Sequence, residues 1–167
     1  MPLRRLAANR PAATVLGVTT VQEEVGLRGG TVSGYAANPE VALVIEVGHA
    51  TDVPHVDGRS LGAMTLGGGP VLVRGANANP VLVDLLRQAA QQNDVPCQTV
   101  GTPGATGTDA KVIQLSRCGV ATALIRVPLR YMHSPVEVLS LADVENTVRL
   151  ITAALPAIAA CPSFIPL

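Results

Sequence analysis

Four residues of this sequence join a chemically capable side chain to a setting that calls for an explanation: Glu23, Glu24, Glu46 and His133. Glu23 and Glu24 stand side by side where an apolar run ends, and Gly26 and Gly29 follow them. Adjacent glutamates are common on solvated surfaces, so the pair gains meaning only from its flanks. Glu46 sits between Ile45 and Val47 in an otherwise apolar run. An unpaired carboxylate is expensive there, so it needs a wet strand end, a cation or an ion pair with Arg130. His133 lies in Arg130-Tyr131-Met132-His133-Ser134-Pro135, while His49 and His55 fall in a long loop as solvated residues, or for His49 as a neighbour supporting Glu46. Three carboxylates and one imidazole form an oxygen-and-nitrogen donor set suited to Zn, Co or Mn.

The elements that must position these groups alternate between apolar runs and helix-like segments, the pattern of an α/β fold. Strands are expected over residues 13–21, 41–47, 70–74, 96–101 and 120–127, with a long loop over 48–69. Residues 3–8 read as the end of a helix, and residues 29–37 as a short helix closed by Asn38-Pro39. Asn79-Pro80 supplies an N-cap with proline at the first helical position, opening a helix to about Gln92. Thr108 is placed to cap a helix over 109–117, and Ser140 with Asp143 resembles a capping box for a helix over 141–155. On this layout Glu23, Glu24, Glu46 and His133 all fall just past, or near, the carboxyl ends of strands, where open α/β sheets bind ligands. The glycine-rich stretches Gly67-Gly68-Gly69 and Gly101-Thr102-Pro103-Gly104 lack both the Walker ending and the G-x-G-x-x-G spacing, so they read as turns or loops lining a cleft.

Composition narrows the function further. The 167 residues form one domain by length and are 48% hydrophobic, with no Trp, one Phe and two Tyr. The core is therefore aliphatic, as suits buried parallel strands. Twelve basic residues balance twelve acidic ones, so there is no positive field for nucleic acid or an anionic membrane surface. Cys97, Cys118 and Cys161 are odd in number and form no C-x-x-C pair, which points to reduced thiols in the cytoplasm rather than a disulfide framework. The N-terminus lacks the apolar run of a signal peptide. No stretch of about eighteen apolar residues predicts a membrane span.

The chain resembles the tetrahedral metalloaminopeptidases, a family of glutamyl and deblocking aminopeptidases whose members are sometimes labelled cellulases. The likeness is carried by Val21-Gln22-Glu23-Glu24-Val25-Gly26-Leu27-Arg28-Gly29, Ile45-Glu46-Val47-Gly48-His49-Ala50-Thr51-Asp52 and Leu66-Gly67-Gly68-Gly69-Pro70. It continues through Gly107-Thr108-Asp109-Ala110, Pro128-Leu129-Arg130-Tyr131-Met132-His133-Ser134-Pro135-Val136-Glu137 and Asp143-Val144-Glu145-Asn146. It implies a three-layer αβα sandwich with a mostly parallel mixed sheet of the zinc-peptidase kind. It further implies two divalent metal ions (Zn, Co or Mn), with Glu24 and His133 as ligands of one and Glu46 as ligand of the other. Glu23 becomes the general base toward a water shared by the metals, and Thr108 and Asp109 line the substrate side. Peptides are the implied substrates and a homo-oligomer the implied assembly, with neither nucleic acid nor membrane as partner.

One departure matters as much. The family carries two further ligands upstream, a histidine and an aspartate bridging both metals, and no residue from Met1 to Val21 is Asp, Glu or His. Residues 1–167 are thus expected to be the C-terminal portion of a catalytic domain, without the small inserted assembly domain. The isolated chain is expected to show little or no peptidase activity. A non-catalytic remnant, or one subunit of a split enzyme, is the alternative. A glycoside hydrolase using Glu23 and Glu46 ranks lower, since such chemistry has no need of His133 and favours aromatic platforms absent here.

Overall fold

The structure is a computed structural model that describes residues 11–54, 56–58 and 62–166. The expected helix end over residues 3–8 and the loop residue His55 lie outside these.

The described elements begin with helix α1 (Arg28–Ala37) and strand β1 (Val41–His49), followed by strand β2 (Val71–Gly75) and helix α2 (Pro80–Gln92). Strand β3 (Gln98–Thr102) and the one-turn helix α3 (Ala110–Ile113) lead into strand β4 (Ala121–Arg130), then β5 (Val138–Leu139) and helix α4 (Leu141–Ala160). The strands form a mixed sheet in the order β1-β4-β2-β3, with β5 added to the end of β4. β1 runs parallel to β4 and β2 parallel to β3, whereas β2 and β5 each run antiparallel to β4.

Aliphatic side chains cover both faces of this sheet. On one face Leu72, Ala123 and Ile125 meet Leu82, Leu86 and Ala90 of α2 and Leu150, Ala154 and Leu155 of α4. On the other, Val71, Val73, Val100 and Leu124 pack with Met64 and with Ala110 of α3. Helix α1 lies outside α3, where Gly34 comes against Ile113. The fold is therefore an αβα arrangement about a mixed sheet.

Several expectations hold closely. Asn79 caps α2 as its type predicts, its Oδ1 accepting from Leu82 N at 3.1 Å with Pro80 in the first turn. The strand expected over 41–47 extends to His49 but is only half-buried, because it forms one end of the strand order. Helix α4 continues past its expected end and through Pro156. Proline removes one helical hydrogen bond, yet Leu150, Ala154, Leu155 and Ile158 keep both halves of the helix packed on the core.

Other expectations fail for identifiable reasons. Residues 13–21 form no strand among the described residues, since apolar patterning makes a strand only where a ladder partner exists. Val15 still tucks against the core, while Leu16, Val18 and Val21 are exposed. The helix expected over 109–117 is one turn long and gives way to turns, with Arg117 left-handed at φ 51°. Thr108 does not cap it by its side chain; its hydroxyl bonds that of Thr106 at 2.9 Å. Nor does Asp143 complete a capping box. It is fully buried and accepts from Gly67 N at 2.7 Å and Gly69 N at 2.8 Å, tying the glycine-rich loop to α4. Gly69 has φ 87° and its Cα lies against the Pro96 carbonyl, so no other residue fits that turn.

Candidate active site

Because β1 and β4 are parallel, their carboxyl ends share one end of the sheet. Glu46 and His49 lie near that end of β1, and the loop carrying His133 leaves β4 there. Glu23 and Glu24 occupy the turn before α1, where Gly26 N and Leu27 N donate to the Glu23 carbonyl at 3.3 and 2.9 Å. The turn is tightly wound, with Gln22 at φ 57° and Leu27 at φ 56°. Non-glycine residues in this region cost roughly 1–3 kcal/mol each and cluster at functional turns.

The structure brings Glu24 and His133 together across 109 residues of sequence, with His133 Nε2 3.1 Å from Glu24 Oε1. Both side chains are open to solvent, so the contact by itself adds little stability. Glu23 is half-buried beside them. Its carboxyl is held above the ordinary range, first by burial and then by the negative charges of Glu46, Glu24 and Asp109, with His133 pulling the other way. Four carboxylates therefore bear on one place.

Glu46 stands level with Arg126 rather than Arg130 and feels its charge across the strand pair. The two stand at matched positions on β1 and β4, and burial draws the Arg126 guanidinium below its ordinary value while the Glu46 charge pushes it back up. Glu46 Oε1 also accepts from Val47 N at 3.1 Å. Arg130 instead forms a two-pronged pair with Asp52, Nε to Oδ1 at 3.0 Å and Nη2 to Oδ2 at 2.7 Å. Leu66 N donates to the same Asp52 carboxylate at 3.0 Å. Arg126 was invisible to sequence reasoning because its match to Glu46 depends on strand register. Asp52 was in view only as part of a motif.

Thr108 and Asp109 are buried. Asp109 Oδ1 has no hydrogen-bond partner among the described residues, and α1 approaches it so closely that a Cβ on Gly30 would overlap the carboxylate. His49 is exposed at the end of β1. A separate groove of about 630 Å³ lies at the opposite end of β1 and β4, lined by Glu40, Asn79, Leu115, Val120 and Phe164. None of the chemically capable residues above reaches it.

Among the described residues, no three His, Cys, Asp or Glu side chains come close enough to one another to hold a metal ion. The donor types still fit a divalent cation. Glu24 and His133 offer oxygen and nitrogen at one point, and Glu46, Glu24 and Asp109 set about Glu23 a negative charge that a cation would offset.

A sequence model of the M42 glutamyl aminopeptidase family matches residues 2–150 of the chain. A lysyl aminopeptidase of Pyrococcus furiosus is 43% identical over 143 residues, covering 86% of this chain and 40% of the relative. Among solved structures, a TET aminopeptidase from a marine sediment Thaumarchaeota archaeon superimposes with a TM-score of 0.86 at 36% identity, over 93% of this chain and 44% of its own. A TET1 peptidase of Pyrococcus horikoshii, described as assembling into a tetrahedron or a large octahedral shell, gives a TM-score of 0.62 at 31% identity, over 81% and 39%. The chain thus spans less than half the length of the curated relatives it matches.

Proposed function

The chain belongs to the M42 glutamyl aminopeptidase family, and from that premise we propose that it contributes part of the active site of a metal-dependent aminopeptidase acting on peptide N-termini. The observation that carries this reading is the meeting of Glu24 and His133 beside a half-buried Glu23 whose proton affinity is raised. Glu24 and His133 would hold one divalent ion and Glu46 would serve a second, with Zn, Co and Mn all suited to such donors. When bound, the ions would supply Lewis acidity and lower the pKa of nearby water.

The remaining chemistry belongs to the protein. Glu23 stands half-buried beside Glu24 and His133, where a carboxylate can exchange a proton with a water at the site. Glu23 would accept a proton as water oxygen attacks the carbonyl carbon of the first peptide bond. It would return that proton to the amine nitrogen as the C–N bond breaks. Thr108 and Asp109 would shape the substrate side from behind α1. Free cysteines support a cytoplasmic setting, and among the described residues no helix is long and apolar enough to cross a membrane. The assembly described for the P. horikoshii peptidase supports a homo-oligomer.

Chromogenic aminoacyl amides with added cobalt or zinc test this reading. Little or no turnover is expected from the isolated chain. Addition of a polypeptide carrying the histidine and aspartate ligands expected upstream should raise turnover, and Glu23→Gln should abolish the gain. Chelator-insensitive hydrolysis would sink the metal-dependent reading.

A further inference from the structure

Resting on that reading of the site, we propose that Glu137 is a positioning residue whose carboxylate holds the backbone of His133 in the conformation that carries its imidazole to Glu24. The loop after β4 is unusual in its backbone. Tyr131 has φ 59° and His133 has φ 63°, two non-glycine residues in the left-handed region on either side of Met132. Side chains with a Cβ resist this region, and such residues persist where surrounding contacts over-determine them.

The ends of the loop are fixed by pairing of Leu129 with Leu139 and of Arg130 with Val138, and Asp52 grips Arg130. Within the loop Ser134 Oγ accepts from Val136 N at 3.3 Å, a long and weak contact. Glu137 Oε1 accepts from His133 N at 2.6 Å, short and charge-assisted. That bond falls on the amide of the very residue that must be aimed. It leaves the ring to make its own contact, Nε2 to Glu24 Oε1 at 3.1 Å. The amide requires only an acceptor, so a glutamine should serve where an alanine cannot.

The experiment is NMR of the 15N-labelled, metal-free chain, with zinc binding followed by calorimetry. In the parent protein the His133 amide proton should resonate downfield and exchange slowly. Glu137→Ala should move it upfield, speed its exchange about tenfold and shift the His133 ring resonances. Glu137→Gln should restore all three, and Ser134→Ala should leave them in place. Zinc affinity should fall about tenfold in Glu137→Ala, the range seen when groups behind a ligand are removed, and recover in Glu137→Gln. Equal impairment of the alanine and glutamine variants would overturn the proposal, as would an unmoved His133 amide. Should the ligands of this chain alone hold zinc too weakly for calorimetry, the amide and ring shifts by themselves decide whether Glu137 holds His133.

Discussion

At the residue scale the site is governed by charge that has few local partners. Glu46 stands level with Arg126, and Glu23 receives the field of three other carboxylates. Replacing Arg126 with Met should keep the packing of its stem but leave Glu46 without its cation. Because neither side chain is fully buried, the expected loss is about 1 kcal/mol in urea unfolding, well below that of a buried pair. Glu24→Gln and His133→Ala should each weaken zinc binding by calorimetry with little effect on folding, since both side chains face solvent. Burial pushes the Cys97 thiol up to about 11, whereas Cys118 is exposed. The thiolate is the reactive form, so at pH 8 a thiol reagent should label Cys118 rapidly and Cys97 much more slowly.

At the element scale two connections decide where the loops lie. Asp143 of α4 satisfies two backbone amides of the loop over Gly67 and Gly69 from a fully buried position. Hydrogen bonds to a charged group contribute about 1.5–3 kcal/mol each, and stranded buried amides add to the loss. Asp143→Ala should therefore destabilise by about 3 kcal/mol or more in urea unfolding, and a change near zero would contradict the role assigned to that carboxylate. The second connection is α1, a helix containing three glycines, two of which are buried. Glycine weakens a helix interior, but Gly30 and Gly34 let α1 lie directly on Asp109 and Ile113. Arg117 adds a clamp, its Nε donating to the Tyr35 carbonyl at 2.7 Å while its guanidinium stacks 3.9 Å over the Tyr35 ring. The turn holding Glu23 and Glu24 is thereby anchored from behind.

At the scale of the whole molecule the Asp52–Arg130 pair joins the loop after β1 to the end of β4, bridging the two strands that frame the site. The Arg130 hydrogen bond, reinforced by Leu66 N, holds the Asp52 carboxyl below its ordinary value. A carboxylate depressed in the folded state contributes stability that is present above its unfolded value of about 3.9 and is lost as pH falls through the lower folded value. Acid unfolding should accordingly be less steep below about pH 4 in Asp52→Asn than in the parent chain. Both side chains are partly exposed, so the change will be small and reduced by salt. Circular dichroism across a pH series at low and high salt would check it, and identical curves for the two proteins would remove the pair from the acid response.

The α/β class, the cap at Asn79, most strand positions and the family are legible in the sequence alone, because periodicity, capping chemistry and ordered motifs are local properties of the chain. The sequence also singled out Glu23, Glu24, Glu46 and His133, since a carboxylate inside an apolar strand is conspicuous without any coordinates. Tertiary structure decided what those residues meet. Strand register gave Glu46 to Arg126 rather than Arg130, and loop closure gave Arg130 to Asp52 and the His133 amide to Glu137. It drew Asp143 away from its own helix end to a loop more than seventy residues distant. It also left residues 13–21 without a ladder despite their β-rich composition. The physical reason is common to all of these. Propensity and pattern act between neighbours in sequence, whereas hydrogen-bond partners and opposing charges are chosen among neighbours in space.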